Sequence, residues 1–547
     1  MAGALVVAAA FIFWLQRGLT FIWDEFVWME NAGLRDPGFY LQPYGGHLIA
    51  LPYLIYKAVL ELFGTSYTAY SIIAVSGLSA TAALVYVYAK RRLGPILALA
   101  PAIALLALGS SWEVVLQPMV TIQFLAAIVP ALGGILLVER DERRADVAAC
   151  VLFCLALTGF DQALAFIAGA IVAIALSPNW KRRIWVVAIP LFGYALWHIW
   201  ASRFGPTIVQ LSNIPLLPIY FVDALAAVSN ALVGTVPLVA PGPWSLLRLE
   251  RSDINVISEG VVFMVLEVLV ICGAVWLLRQ RGPIPKTFWP AAAMLVALFA
   301  EMGLVFEPGR TPFENRYLYS GALLLLLVLV EVFRGVKTTP ITVAVAFALT
   351  FVAVFGNLPQ FREGRQILDA YQKLARADMA VIQLAGRNGN QQFDPNTDAP
   401  ELTPRGMWTV TGAWREVVDR FGSVANSIPE LRRQPEQVRR SADGVAAIAL
   451  ELELAKAAVA DPRRCHRVSA PSGIPVEIAL PSGGAILKPN GPTEVALRRW
   501  ADEFTVGLGT VRQGEAAMLR IPPDPATGVP WRLRFPQSDS VGVCAVR

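Results

Sequence analysis

Residues 1–47 read MAGALVVAAAFIFWLQRGLTFIWDEFVWMENAGLRDPGFYLQPYGGH. An apolar run from Met1 to Phe21 gives way at once to a polar stretch with Asp24, Glu25, Glu30 and Asp36, which closes on the turn Tyr44-Gly45-Gly46-His47. Two adjacent carboxylates where an apolar helix ends are costly in hydrocarbon and tolerable in a water-filled cleft that opens on a bilayer. They equally fit a plain role as solvated residues that stop the helix. The run has no basic n-region and no small-residue cleavage site, so it reads as a retained first span.

Composition supports a membrane reading of that run. The 547-residue chain is 56% hydrophobic and only 16% charged, with a mean hydropathy of +0.54, more apolar surface than a soluble fold buries. Its net charge of +5 lies in short clusters between apolar runs, not in a basic stripe interleaved with aromatics, which argues against a nucleic-acid partner. Three of the five cysteines, Cys150, Cys154 and Cys272, lie in apolar runs, while Cys465 and Cys544 bracket the last polar segment and could pair in an oxidising compartment. His47, His198 and His466 are far apart, and no Cys/His spacing fits a zinc site.

A span needs roughly 20 apolar residues, and basic clusters between spans belong on the cytoplasmic side. The clusters are Lys90-Arg91-Arg92, Arg140 with Arg143-Arg144, Lys181-Arg182-Arg183, Arg279 with Arg281, and Arg334 with Lys337. Placing all of them inside gives an α-helical polytopic protein of about eleven spans, N-terminus in and C-terminal tail out. GHLIALPYLIYKAVLELFG then reads as one or two amphipathic helices on the outer interface. Val147–Thr158 and Ala163–Leu176 form a hairpin with Asp161 at its tip. A long outer loop, 203–258, holds proline-broken apolar pieces such as IPLLPIYFVDALAAV that look too interrupted to span.

From Gln360 the composition is that of a soluble domain. Residues 1–358 read as the transmembrane domain, 359–462 as an extracytoplasmic region with helices at Arg362–Ala385, Trp414–Phe421 and Val445–Ala460, and 463–547 as a β-rich domain. Short alternating stretches (VEIAL, EVALRRW, FTVGLG, AAMLRI, WRLRF, VGVCAVR) suggest a small β-sandwich whose ends Cys465 and Cys544 staple. The tail is thus an extracytoplasmic α+β domain.

With this topology the notable polar residues gather on the outer side: Asp24, Glu25, His47, Glu113, Gln117, Asp161, Arg203, Glu307, Arg310, Glu314, Asn315, Arg316 and Tyr317. Carboxylates facing guanidinium groups are what transfer from a phosphorylated leaving group to an acceptor hydroxyl requires: a base takes the hydroxyl proton and arginines neutralise the departing phosphate. Each residue also has a plainer reading. Asp161 fits a solvated turn or helix cap, Glu113 an interfacial anchor beside Trp112, Glu314 and the arginines an ordinary ion-paired loop, and His47 a hydrogen-bonded turn. His198, between Trp197 and Trp200, reads as a packing residue. Glu267, a carboxylate inside an apolar run, is a functional candidate by its position.

The acidic opening Trp23-Asp24-Glu25, the GHLIALPYLIYKAVLELFG-SY stretch, Trp112-Glu113 and the RYLY at Arg316–Tyr319 resemble the GT-C superfamily of membrane glycosyltransferases, and more narrowly a group of bacterial multi-span proteins of that kind. The resemblance covers roughly residues 1–358 through short, degenerate motifs. It implies transfer of a sugar from a polyprenyl-phosphate donor to a cell-envelope glycan, lipid or protein acceptor, with inversion, in a bacterial plasma membrane. It makes Asp24 the base, Glu25 an assisting acid or ligand of a divalent metal (Mg or Mn), and Arg310 and Arg316 donor-phosphate ligands; His47, Glu113, Gln117, Asp161, Arg203, Glu314 and Tyr317 complete the expected substrate-binding set. The chain departs from the narrower group at Gly46, where an acidic residue before the loop histidine is frequent. Two alternatives stand beside the enzyme: a transporter or flippase for a lipid-linked envelope precursor, which would use Glu267, and a catalytically inactive scaffold. Against the transporter, the chain has no detectable internal repeat and devotes nearly two hundred residues to its tail.

Overall fold

The computed structural model describes residues 1–235, 268–269, 271–277, 279–280, 284–307, 310–386, 389–398, 409–457, 465–471, 473–522 and 528–546. Glu267, the expected span Gly260–Leu278 in its first part, and most of the second half of the 203–258 loop lie outside these residues. The chain divides into two compact units: residues 1–18, 36–59 and 68–367 form the first, and residues 19–35, 60–67 and 368–547 the second.

The first unit is helical. Among the described residues six helices are long and apolar enough to cross a membrane: Tyr67–Leu97, Pro118–Val138, Trp185–Phe204, Leu211–Val233, Asn315–Val332 and the first part of Pro340–Ala385; a bent pair, Leu99–Leu106 with Gly109–Leu116, makes a seventh if it is one span. The protein is therefore membrane-embedded, with fewer full-length spans among the described residues than the eleven expected. The difference lies in short helices: Ala2–Gln16, Arg143–Leu157, Ala163–Ala175 and Phe288–Leu304 have 13 to 17 residues. The first helix stops at Gln16, short of Phe21, because Arg17 turns extended. GHLIALPYLIYKAVLELFG yields a single helix, Ala50–Phe63.

IPLLPIYFVDALAAV is the clearest correction. It is not too broken to span: Leu217–Val233 is one continuous helix, preceded by a 3-10 segment Leu211–Leu216. Pro215 sits in that 3-10 segment and Pro218 in the first helical turn, where a missing N–H costs nothing. Proline breaks a helix only from its interior. Exposed apolar surface is plain on Pro340–Ala385, at Ile341, Leu349, Phe351, Val352 and Phe355.

Pro340–Ala385 runs 46 residues without interruption, through Pro359 and past the compositional boundary at 358, and the two units divide within it. The expected separate helix Arg362–Ala385 is its second half.

The second unit contains Glu25–Leu34, the end of that long helix, Thr411–Phe421, Ile428–Arg432 and Glu436–Ala449. Phe26 and Trp414, both fully buried, meet edge to face at 5.1 Å. Arg420 donates to the Gly33 carbonyl (3.0 Å) and pairs with Glu61 (2.5 Å), and the Thr65 N–H donates to the Phe421 carbonyl. The acidic opening segment is thus built into the same unit as the tail, a non-local grouping that no local pattern announces.

Nine strands follow among the described residues: β1 Leu454–Ala457, β2 Cys465–Ser469, β3 Val476–Ala479, β4 Gly484–Pro489, β5 Thr493–Arg498, β6 Val506–Val511, β7 Ala516–Arg520, β8 Arg532–Phe535 and β9 Ser540–Ala545. They form two antiparallel sheets, ordered β1-β7-β4-β9-β2 and β3-β8-β5-β6. Alternate residues such as Val476 and Ile478, Val495 and Leu497, and Leu533 and Phe535 are buried, as a half-buried pleated strand requires. The helix expected over Val445–Ala460 ends at Ala449. Glu451, at φ 52°, reverses the chain, and the following residues pair as β1 with β7. Cys465 lies directly opposite Cys544 in the β2–β9 ladder, and the two are disulfide-bonded.

Candidate functional site

The first unit assembles a polar centre around Asp161. Tyr44 and His47 exchange backbone hydrogen bonds of 3.0 Å across Gly45 and Gly46, whose φ values of 55° and 88° are those a two-residue hairpin turn needs. A side chain on Gly46 would also run into Ile208, at 2.9 Å from a Cβ. Geometry therefore leaves no room for an acidic residue before the histidine.

The carboxylate comes from far along the chain instead. His47 Nδ1 lies 2.5 Å from Asp161 Oδ2, and both side chains are largely withdrawn from solvent, 18% and 15% exposed. Asp161 is therefore not a solvated turn residue. Its neighbours hold it in register: Phe160 stacks on Phe124 (5.2 Å) and packs against the His47 ring (4.6 Å), while the Gln162 side-chain carbonyl accepts from Ser320 (2.6 Å). The hairpin is fixed from its flanks as well. The Leu51 N–H donates to the Thr158 carbonyl (2.9 Å), and Trp197 Nε1 donates to the Leu41 carbonyl (2.8 Å).

Two further elements bring ionisable side chains to Asp161. Phe288–Leu304 packs against Ala163–Ala175 so closely that Gly169 has no space for a Cβ, which would sit 2.4 Å from Met294. Seven residues along this antiparallel contact, about 10 Å at 1.5 Å per residue, Glu301 comes into electrostatic contact with Asp161. Glu301 Oε2 is enclosed and has no hydrogen-bond partner among the described residues. From the other side, Ser320 places Tyr317 one turn away on Asn315–Val332, and Tyr317 interacts with Asp161, Arg310, Arg316 and Glu314. The Arg316 guanidinium lies 5.4 Å over the Tyr317 ring, and Arg310 pairs with Glu307 at 3.0 Å. Tyr194 couples to Asp161 and Glu301, and Tyr220 to Tyr317, Glu314 and Asp223.

Of the residues singled out from the sequence, His47, Asp161, Arg310, Glu314, Arg316 and Tyr317 meet here. Asp24 and Glu25 belong to the second unit. Glu25 is fully buried and accepts the Ile22 N–H at 2.9 Å, while Asp24 takes the N-cap position of Glu25–Leu34, after Trp23 has turned the chain with a left-handed φ of 55°. The helix N-terminus favours a carboxylate, and the buried Glu25 differs from the solvated stop considered above. Glu113 lies on the short helix Trp112–Leu116. Gln117 is fully buried, its amide without a hydrogen-bond partner among the described residues. Arg203 is exposed and forms no ion pair among the described residues. His198 lies beside the rings of Tyr194 and Trp197.

Sequence reasoning missed Glu301, Tyr194, Tyr220 and Asp223. Glu301 carried the same signal as Glu267, a single acid inside an apolar run. No group of three or more His, Cys, Asp or Glu side chains is arranged to hold a metal ion among the described residues. A histidine held through one ring nitrogen by a carboxylate, with arginines nearby, can exchange a proton through its other nitrogen and stabilise an anion. No protein-family model and no curated protein matches the chain.

Proposed function

We propose that the protein is a membrane-embedded transferase that moves a sugar from a polyprenyl-phosphate carrier to a cell-envelope acceptor at the outer face of a bacterial plasma membrane, with His47 and Asp161 as its acid–base pair. The observation that carries this reading is the 2.5 Å contact between His47 and Asp161 beside the arginine-bearing turn. In the reaction the acceptor oxygen attacks the anomeric carbon and its proton passes to His47 Nε2. The bond from that carbon to the phosphate oxygen breaks, and the leaving phosphate keeps the electron pair. Arg310 and Arg316 supply the positive charge that stabilises it, and Asp161 orients the imidazole and stabilises its protonated form. Attack opposite the leaving group inverts the anomeric centre.

Mass spectrometry of lipid-linked sugars and envelope glycans tests this in membranes bearing wild-type protein, Asp161→Asn, Asp24→Asn or no protein. The proposal expects Asp161→Asn to match the deletion: a polyprenyl-phosphate sugar accumulates and one glycan residue disappears. If Asp161→Asn at wild-type abundance behaves as wild type while Asp24→Asn matches the deletion, the base lies in the opening loop and the present assignment fails. If neither variant matters but deletion alters envelope precursors, transport or scaffolding is the better account.

A further inference from the structure

A second polar feature lies at the opposite ends of the same helices. Phe288–Leu304 and Asn315–Val332 carry Glu301 and Arg316 towards one end; Lys286, Thr287 and Arg334 flank the other. There a cavity of about 460 Å³ opens among Arg91, Arg92, Arg183, Lys286 and Arg334, with Glu139 and Asp141 also on its wall. This is a volume typical of small-ligand sites.

The cations fall into two groups. Arg92 and Arg183, 4% and 6% exposed, are structural: Arg92 is bound by Glu139 and Glu331, and Arg183 by Asp146 (2.6 Å) and Asp141 (3.0 Å). Arg91 and Arg334 are more than a third exposed; Arg91 pairs with Glu139 at 3.0 Å and Arg334 with Glu331 at 3.6 Å. Lys286 has no ion pair among the described residues. Among the described residues five cations thus meet four carboxylates, and the surplus charge is that of Lys286. Lining one cavity, the two anchored arginines and the N–H donors of Lys286, Arg91 and Arg334 offer the charge and hydrogen bonds that phosphate oxygens need.

We propose that this cavity binds a phosphate-bearing anion, either the headgroup of an anionic phospholipid or a soluble phosphate compound. Basic pockets between membrane helices recognise such groups by charge and N–H geometry. The site is distinct from the His47–Asp161 centre and does not depend on its chemistry.

The test uses the purified full-length chain. Thermal stability is measured in phosphatidylcholine nanodiscs, in nanodiscs containing phosphatidylglycerol, and in phosphatidylcholine nanodiscs with millimolar inorganic phosphate. Stabilisation by phosphatidylglycerol alone identifies a lipid headgroup; stabilisation by phosphate identifies a soluble ligand. Lys286→Glu is expected to weaken binding of the effective anion about tenfold or more, the factor that one charge-assisted hydrogen bond contributes, while Lys337→Glu, off the cavity wall, leaves it unchanged. Because Lys286 makes no ion pair among the described residues, its variant should melt as wild type when no anion is present. Absence of stabilisation by both anions overturns the proposal, as does equal stabilisation of wild type and Lys286→Glu.

Discussion

Replacing Glu331 by glutamine tests how the basic ends of these helices are held. The Glu331 side chain is fully buried. It accepts hydrogen bonds from Tyr88 Oη (2.8 Å), Arg92 Nε and Thr287 Oγ1 (2.7 Å), with Arg334 Nη1 at 3.6 Å. Arg92, nearly as buried, lies 3.5 Å over the Tyr88 ring and also binds Glu139. Glutamine preserves volume but removes the charge and turns an NH2 group towards donors. Breaking one partner from a buried ion pair costs about 3 to 5 kcal/mol. Glu139 still faces Arg92 here, which sets the expectation near the lower end, about 3 kcal/mol, and a fall of several degrees in the melting midpoint. Tryptophan fluorescence during thermal unfolding of the purified chain in detergent reads this directly. The double variant Arg92→Met/Glu331→Leu should recover part of the loss, because removing both charges removes their desolvation cost, and Glu139 keeps Arg91 at 3.0 Å. A midpoint for Glu331→Gln equal to wild type, or a double variant that loses the full sum of both single changes, would refute this account.

Two predictions concern the second unit. Asp443 is fully buried and accepts the backbone N–H groups of Arg499, Trp500 and Ala501, yet burial outweighs these bonds and pushes its carboxyl up to about 6. A raised acid favours the folded state most fully below its ordinary value near 3.8, and that contribution, about 3 kcal/mol, is lost as pH rises through about 6. Asp443→Asn should therefore flatten the decline in stability between pH 4 and pH 7; equal pH slopes for the two proteins would show that Asp443 does not titrate there. The disulfide closes a loop across 79 residues between β2 and β9, so reduction should destabilise the β-region by about 2 to 4 kcal/mol. Denaturation with and without reductant measures this, and free Cys465 and Cys544 thiols in the native protein would rule the bond out.

Sequence alone determined the features whose free energy is local. Apolar runs near span length, proline at helix starts and the switch to alternating strand patterns after 462 are written in neighbouring residues, and the corresponding helices and strands form there. Where the energy is non-local, the sequence was silent. β1 exists because β7 lies beside it. The polar centre around Asp161 depends most on tertiary structure. His47 and Asp161 are 114 residues apart, and only the packing of Phe160 between Phe124 and His47, with Ser320 on Gln162, brings them within 2.5 Å. Packing likewise selects Glu301 from an apolar helix, and a separate set of contacts, Phe26 on Trp414 and Arg420 on the Gly33 carbonyl, groups Asp24 and Glu25 with the tail. Residue type shows which side chains can exchange a proton or bind phosphate, but helix packing decides which of them meet, since side-chain contacts across a fold depend on distances that no local pattern encodes.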